Sequence, residues 1–245
     1  MRVKIIKLNA IDSTNTYLKD LCKNTTVSDC TLVVANEQTQ GRGQMGAKWQ
    51  SRQGQSLTFS MLKRFNHLHI SDQSSITFGV SIAIKKVLEK LQVPAISVKW
   101  PNDIMSYSQK LCGILIENQL EGSYLVSTII GIGLNVNESE FSELPQATSM
   151  RLATGNTFDR SEILELLGEA IQKQLESLQS GNTLELKSTY EASLFRINKV
   201  STFEDPNGFK FNGIILGVAK SGELLVEKED ESVQDFELKQ IKLLF

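Results

Sequence analysis

Histidine, cysteine, proline and tryptophan are all scarce in this chain, whose 245 residues include two, three, four and two of them respectively. Two histidines leave little from which to build a histidine-rich metal site. The three cysteines, Cys22, Cys30 and Cys112, are an odd number with no C-x-x-C spacing. They argue against a disulfide framework and for reduced thiols in a cytosol. No apolar run approaches the roughly 20 residues of a membrane-crossing helix. Met1 to Leu8 interleaves charged and apolar residues, so a signal-peptide core is missing as well. Charge of one sign is not in excess: 26 basic against 28 acidic residues leave a formal charge of −2. A broad basic face for DNA or RNA is therefore not indicated. Internal repeats and low-complexity segments are also absent. The expectation is a soluble cytoplasmic protein that engages neither DNA nor membrane.

What is present is an ordinary globular balance, 40% hydrophobic and 22% charged. The length suits one large domain, or a main domain with a small one attached. Asp12 to Asn15 offers several capping side chains ahead of a short helix over Thr16 to Leu21. Thr31 to Ala35 and Ser56 to Leu62 read as strands. Ile76, Val80, Ala83, Val87 and Leu91 recur at helical steps, so 74–91 is predicted as a core-facing helix ending before Pro94. Strands follow over 96–100, 111–117 and 124–134, then helices near 160–179 and 184–194. Beyond Phe195 the texture changes to short strands at 200–203, 209–211, 213–218 and 222–227, separated by turn residues. The fold class expected is α+β: a mixed β-sheet with helices packed on one face, over residues 1–195. A small C-terminal β-barrel over 196–245 completes it.

Four segments carry the chemistry. Gln40 to Trp49 gathers three glycines, Arg42, Lys48 and a tryptophan within ten residues. Glycine lets backbone approach a ligand, arginine offers a planar charged fork, and the indole can cover a flat molecule. A plain basic turn is the alternative. The letters G-x-G-x-x-G occur here, but no apolar-periodic helix follows, so the dinucleotide-binding reading is set aside. Lys99-Trp100-Pro101-Asn102-Asp103 ends a strand with a cation and a carboxylate that could orient the lysine or a magnesium ion. A simple strand-ending turn fits the same residues. Lys110 opens an apolar strand containing Gly113, and a strand glycine often marks a bulge or a ligand lying on the sheet. Gly131 to Asn137 ends a strand with two glycines and two asparagines, and an asparagine amide can pair with an adenine edge. Arg42, Lys99 and Lys110 together could neutralise a triphosphate and a carboxylate brought side by side. That combination fits carboxylate activation by ATP.

In this order the motifs resemble the biotin protein ligases. The family pattern runs Ser-Thr-Asn, G-R-G-R-x-G-R-x-W, K-W-P-N-D, K-x-x-G-I-L-x-E and G-x-G-x-N. Here it reads Ser13 to Asn15, Gly41 to Trp49, Lys99 to Asp103, Lys110 to Glu117 and Gly131 to Asn135. The resemblance implies a class II synthetase-like catalytic domain followed by an SH3-like barrel. It implies biotin as substrate, with ATP and Mg2+: biotin is activated to biotinyl-5′-AMP and passed to a lysine of a biotin carboxyl carrier domain. It places Ser13, Thr14, Asn15, Gln38, Gly41, Arg42, Gly43, Gln44, Lys110, Gly113 and Leu115 on the biotin side. Arg42, Trp49, Lys99, Asn102, Asp103, Gly131 and Asn135 fall on the nucleotide side. The catalytic cations would be Arg42, Lys110 and Lys99, and the magnesium ligands stay unassigned.

The chain departs from the pattern at Gln44 and Ala47, where arginine is usual, so looser retention of the adenylate is expected. Ser13 comes so early that no helix-turn-helix domain fits before it, and a ligase without DNA binding is the expectation. A lipoate–protein ligase and a non-catalytic biotin sensor are the alternatives. Whether the chain is a monomer or a homodimer stays open.

Overall fold

The computed structural model describes residues 4–142, 144–178 and 183–245. The main sheet has seven strands: β1 (Ile5–Ile11), β2 (Leu32–Gln38), β3 (Ser56–His69), β4 (Ile96–Lys99), β5 (Asp103–Ser106), β6 (Gln109–Glu121) and β7 (Tyr124–Asn135). Their spatial order is β1-β2-β3-β7-β6-β5-β4. Only β1 and β2 pair in parallel, the other neighbours being antiparallel, so the sheet is mixed as expected.

Strand alternation gives this sheet two different faces. Leu57, Phe59 and Met61 of β3 join Ile130, Ile132 and Leu134 of β7 in the main core. Helices α2 (Ser74–Lys90), α4 (Arg160–Leu178) and α5 (Thr183–Ala192) cover that side. The intervening residues point the other way, where helix α1 (Thr14–Asn24) buries Leu18 against Val33, Leu62 and Ile129. The long helices thus share one face, and the short first helix occupies part of the opposite one.

Several boundaries differ from the sequence reading for local reasons. Helix α1 starts at Thr14, because Ser13 serves as its cap. Thr14 and Asn15 therefore lie in the first helical turn instead of ahead of it. Strand β5 was not foreseen, since Pro101, Asn102 and Asp103 were read as turn formers, yet Asp103 already pairs with Lys99. Helix α3 (Met150–Thr154) is one short segment capped by Ser149 and closed at Gly155, too brief to show periodicity. The predicted end of α4 at Gln179 lies outside the described residues, as do residues 1–3 of the N-terminal stretch.

A second sheet of five antiparallel strands holds β8 (Val200–Glu204), β9 (Lys210–Val218), β10 (Leu224–Lys228), β11 (Val233–Phe236) and β12 (Lys242–Leu244), in the order β11-β10-β9-β8-β12. The two segments read as separate strands at 209–211 and 213–218 are the single strand β9. Strands β11 and β12, four and three residues long, are too short to show alternation. Phe203, Ile215, Val218, Leu224 and Phe236 of this sheet join the same buried cluster as the main core. The stretch between α5 and β8 bonds to β4, through Ser193 O to Val98 N at 2.8 Å and Phe195 N to Val98 O at 2.7 Å. The expected boundary at 195/196 falls inside that stretch. No helix among the described residues is long and apolar enough to cross a membrane.

Candidate active site

Sheet register assembles the separate motifs on the face opposite the long helices. Thr58 pairs with Gly133, Gly133 with Gly113, Gly113 with Asp103, and Asp103 with Lys99. Two residues along β3, β7 and β6, Ser60, Gly131 and Leu115 form a second row on the same face. Directly opposed residues share a face, so residues 4 to 75 positions apart in sequence meet across five neighbouring strands.

The Ser60 end of the second row is polar. Thr14 donates from both its N–H and its hydroxyl to Gln38 Oε1, at 2.8 and 3.1 Å. Ser60 Oγ lies 2.7 Å from Thr14 Oγ1 and 2.5 Å from Asn15 Oδ1. A hydroxyl carries one proton and so serves one acceptor at a time. Asn15 Nδ2 donates to Glu117 Oε2 at 2.8 Å, and Arg42 Nη2 meets Glu117 Oε1 at 3.1 Å. Ser13, Thr14, Asn15 and Ser60 are all buried. A Cβ at Gly131 would lie 2.3 Å from Asn15 Oδ1, which is why glycine stands beneath this cluster.

The glycine-rich loop folds as a small hairpin over the same face. Trp49 N–H donates to Gly41 O at 2.9 Å and Gly43 N–H to Ala47 O at 2.7 Å. Met45 and Gly46 at the tip adopt positive φ of 55° and 83°. The hairpin lays the Trp49 ring over β6 and β7: a Cβ at Gly133 would come 2.3 Å from it, and one at Gly113 3.1 Å. The indole N–H is buried without an acceptor among the described residues. Lys110 Nζ stands 5.8 Å from the ring centroid.

Asp103 sits between two ammonium groups, 2.6 Å from Lys110 Nζ and 3.8 Å from Lys99 Nζ. Burial holds the Lys99 pKa below the ordinary lysine value; the Asp103 charge opposes this shift and the Lys110 charge adds to it. Burial also raises the Cys112 thiol far above its usual range, so this cysteine stays protonated and unreactive.

Two cavities share this machinery. The first, about 230 Å³, is lined by Ser13, Thr14, Asn15, Gln38, Arg42, Gly43, Gln44, Lys110, Gly113 and Leu115, and also by Asn102 and Gly131. Ten of the eleven residues expected on the biotin side therefore line it. Gly41 does not; it forms the base of the loop hairpin. The second cavity, about 380 Å³, takes Lys99 and Asn135. Trp49, Asp103 and Lys110 line both. Gly131 and Asn102, assigned by sequence to the nucleotide, thus border the first cavity. Asn102 Nδ2 donates to Ile114 O at 2.7 Å. The Asn135 amide is likewise engaged, donating to Thr148 O at 2.9 Å and accepting from Ser56 Oγ at 3.4 Å.

Three contributors escaped the sequence reading. Ser60 is one, although Ser56, Thr58 and Ser60 alternate with the core residues of β3 and signal a polar face. Glu117 is another: in the sequence it only closes the K-x-x-G-I-L-x-E motif, and the fold brings it to Asn15 and Arg42. Lys48, without an assigned role before, lines both cavities beside Gln44 and Ala47, where the loop lacks arginine. Among the described residues no three histidine, cysteine or carboxylate side chains come together as a metal cage.

The chain is similar in sequence and fold to known proteins. The Biotin/lipoate A/B protein ligase family matches residues 8–135. The bifunctional ligase/repressor BirA of Bacillus spizizenii is 30% identical over 92% of this chain and 70% of its own length. A biotin–[acetyl-CoA-carboxylase] ligase of Paracoccus denitrificans is 27% identical over 88% of this chain and 90% of its own. Among solved structures, the biotin protein ligase of Aquifex aeolicus in complex with biotin and ATP superposes with a TM-score of 0.80, at 28% identity and 98% coverage of both chains. With this match spanning more than half of its length and taking in every motif of the two cavities, the chain belongs to the Biotin/lipoate A/B protein ligase family.

Proposed function

We propose that this chain is an ATP-dependent biotin protein ligase. The observation that carries the reading is the pair of cavities joined at Lys110, Asp103 and Trp49. Two substrates can be held there with their reacting ends at the shared residues, as transfer between them demands. The relatives named as biotin ligases, and the fold match to one holding biotin and ATP, support it.

Biotin fits the first cavity by chemistry. A cyclic urea presents two N–H donors and a carbonyl acceptor, and Thr14, Asn15 and Gln38 offer both kinds of partner at one end, with Ser60 bonded to Thr14 and Asn15. Leu115 and the flat backbone of Gly113 and Gly131 suit an apolar ring and chain. The carboxylate would then point toward Arg42 and Lys110. The guanidinium of Arg42 is held by Glu117 in a pair half open to solvent, a contact worth about 1 kcal/mol or less. An incoming carboxylate or phosphate can therefore draw Arg42 away at small cost.

In the first step the biotin carboxylate attacks the α-phosphorus of ATP, forming the acyl-phosphate bond as the bond to pyrophosphate breaks. Arg42 and Lys110 face the charge that grows on the phosphoryl oxygens, and Lys99 lies on the pyrophosphate side. Trp49 walls both cavities and excludes water from the mixed anhydride. In the second step a neutral lysine amine attacks the biotinyl carbonyl, the acyl-phosphate bond breaks as AMP leaves with its electron pair, and the amine proton is released to solvent. Mg2+ fits as a companion of the nucleotide, which supplies phosphate oxygens; from this chain Asp103 is the carboxylate within reach. It would neutralise phosphate charge.

The acceptor proposed is a biotin carboxyl carrier domain of a carboxylase, supported by the names of the relatives, and the place of work proposed is the cytoplasm. Exchange of labelled pyrophosphate into ATP tests the first step. Exchange that requires biotin and disappears in Lys110→Ala is the expected result; exchange indifferent to biotin would refute the reading.

A further inference from the structure

Phe245, which follows β12, is the only residue beyond α5 to line the second cavity among the described residues. Its ring centroid lies 5.5 Å from Lys99 Nζ. The ring is fixed from two sides. Strand β12 pairs with β8, Leu244 opposite Thr202, and the Phe195 ring meets Phe245 edge-on with centroids 5.1 Å apart. Phe195 is itself bonded through its N–H to Val98 O at 2.7 Å, one residue before Lys99. The contacts thus close a circuit from β4 through Phe195 and Phe245 back to the ammonium group carried by β4.

Lys99 needs such support. Asp103 approaches it only to 3.8 Å, having given its nearer contact of 2.6 Å to Lys110. A lysine side chain with four rotatable bonds adopts many positions unless neighbours restrict it. An aromatic face attracts a cation without withdrawing its charge or its N–H donors. The ring can therefore hold Lys99 in place and leave it free to meet an anion.

From this placement we propose that Phe245 is a positioning residue for the nucleotide: the second sheet reaches into the adenylation site and aims Lys99 at the polyphosphate through the face of this ring. The inference rests on the reading of the second cavity as the nucleotide site. It extends that reading to a segment outside the matched family region of 8–135.

The test compares Phe245→Leu, Phe245→Tyr and wild type in biotin-dependent pyrophosphate release from MgATP, with biotin affinity measured separately without nucleotide. Leucine keeps apolar bulk and loses the π face; tyrosine keeps both. The expected result for Phe245→Leu is a KM for ATP raised about three- to tenfold, the range a lost cation–π contact supplies. Its biotin affinity stays at the wild-type value, and Phe245→Tyr restores the KM. In a Lys99→Met background the leucine substitution adds nothing further. A Phe245→Leu enzyme with wild-type KM would overturn the proposal, as would equal losses of ATP and biotin affinity, which mark a general packing defect. Wild-type protein that releases no pyrophosphate with biotin would instead bring down the nucleotide reading itself.

Discussion

Lys99, Asp103 and Lys110 show how three charges on neighbouring strands divide their work. Asp103 neutralises its two lysines, and in the proposed reaction phosphate takes over as their partner. Arg42 stands in the same relation to Glu117. Alanine at Arg42 or Lys110 is expected to lower kcat/KM for pyrophosphate release by roughly 100-fold or more. Thermal stability should change little, since both side chains are substantially exposed, 48% and 38%. Steady-state kinetics beside a melting curve checks this, and near-wild-type turnover in both variants would remove these residues from the chemistry. Lys99 gives a second prediction. Its pKa is lowered by burial, so its charge is lost at a lower pH than that of a free lysine. The charged form is the one that binds phosphate, hence kcat/KM for ATP should fall on the alkaline side, and a limb in kcat/KM reports the free enzyme. Lys99→Arg keeps its charge to higher pH and should extend the plateau upward. Coincident profiles for the two proteins would assign the limb elsewhere.

At the scale of elements, the site is made by register. Gly133 allows the loop hairpin to rest its tryptophan on the sheet, and a methyl group there would lie 2.3 Å from the indole. Gly133→Ala should displace Trp49, at a cost of about 1–3 kcal/mol typical of overpacking, and weaken biotin binding in calorimetric titration. Unchanged affinity would mean the ring does not set the cavity wall. The hairpin tip, with Met45 and Gly46 at positive φ, is expected to tighten when the cavity fills. Tryptic cleavage after Arg42 or Lys48 should slow on adding biotin, and an unchanged rate would speak against closure. These elements also explain what was legible beforehand. The α2 periodicity, the loop composition and the Lys99 to Asp103 segment stand in the chain as contiguous patterns. The Ser60 contacts with Thr14 and Asn15, and Glu117 bridging Asn15 and Arg42, link residues 45 to 102 positions apart, and only strand pairing brings them together. Strand β5 was hidden because turn-forming residues led directly into it.

For the molecule as a whole, one sheet carries two kinds of surface. Its apolar face holds α2, α4 and α5, and its other face, thinned by glycine and edged with cations, receives substrates. The second sheet shares the buried cluster of the first, and Phe245, which follows it, lines the second cavity. In the proposed reaction these two cavities bring the biotin carboxylate to the α-phosphate of ATP. The most direct measurement is pyrophosphate release from MgATP with biotin, lipoate and octanoate each offered alone. Release with biotin and neither of the others is the predicted result. Release with lipoate or octanoate in its place, or no release with any of the three, would contradict the account.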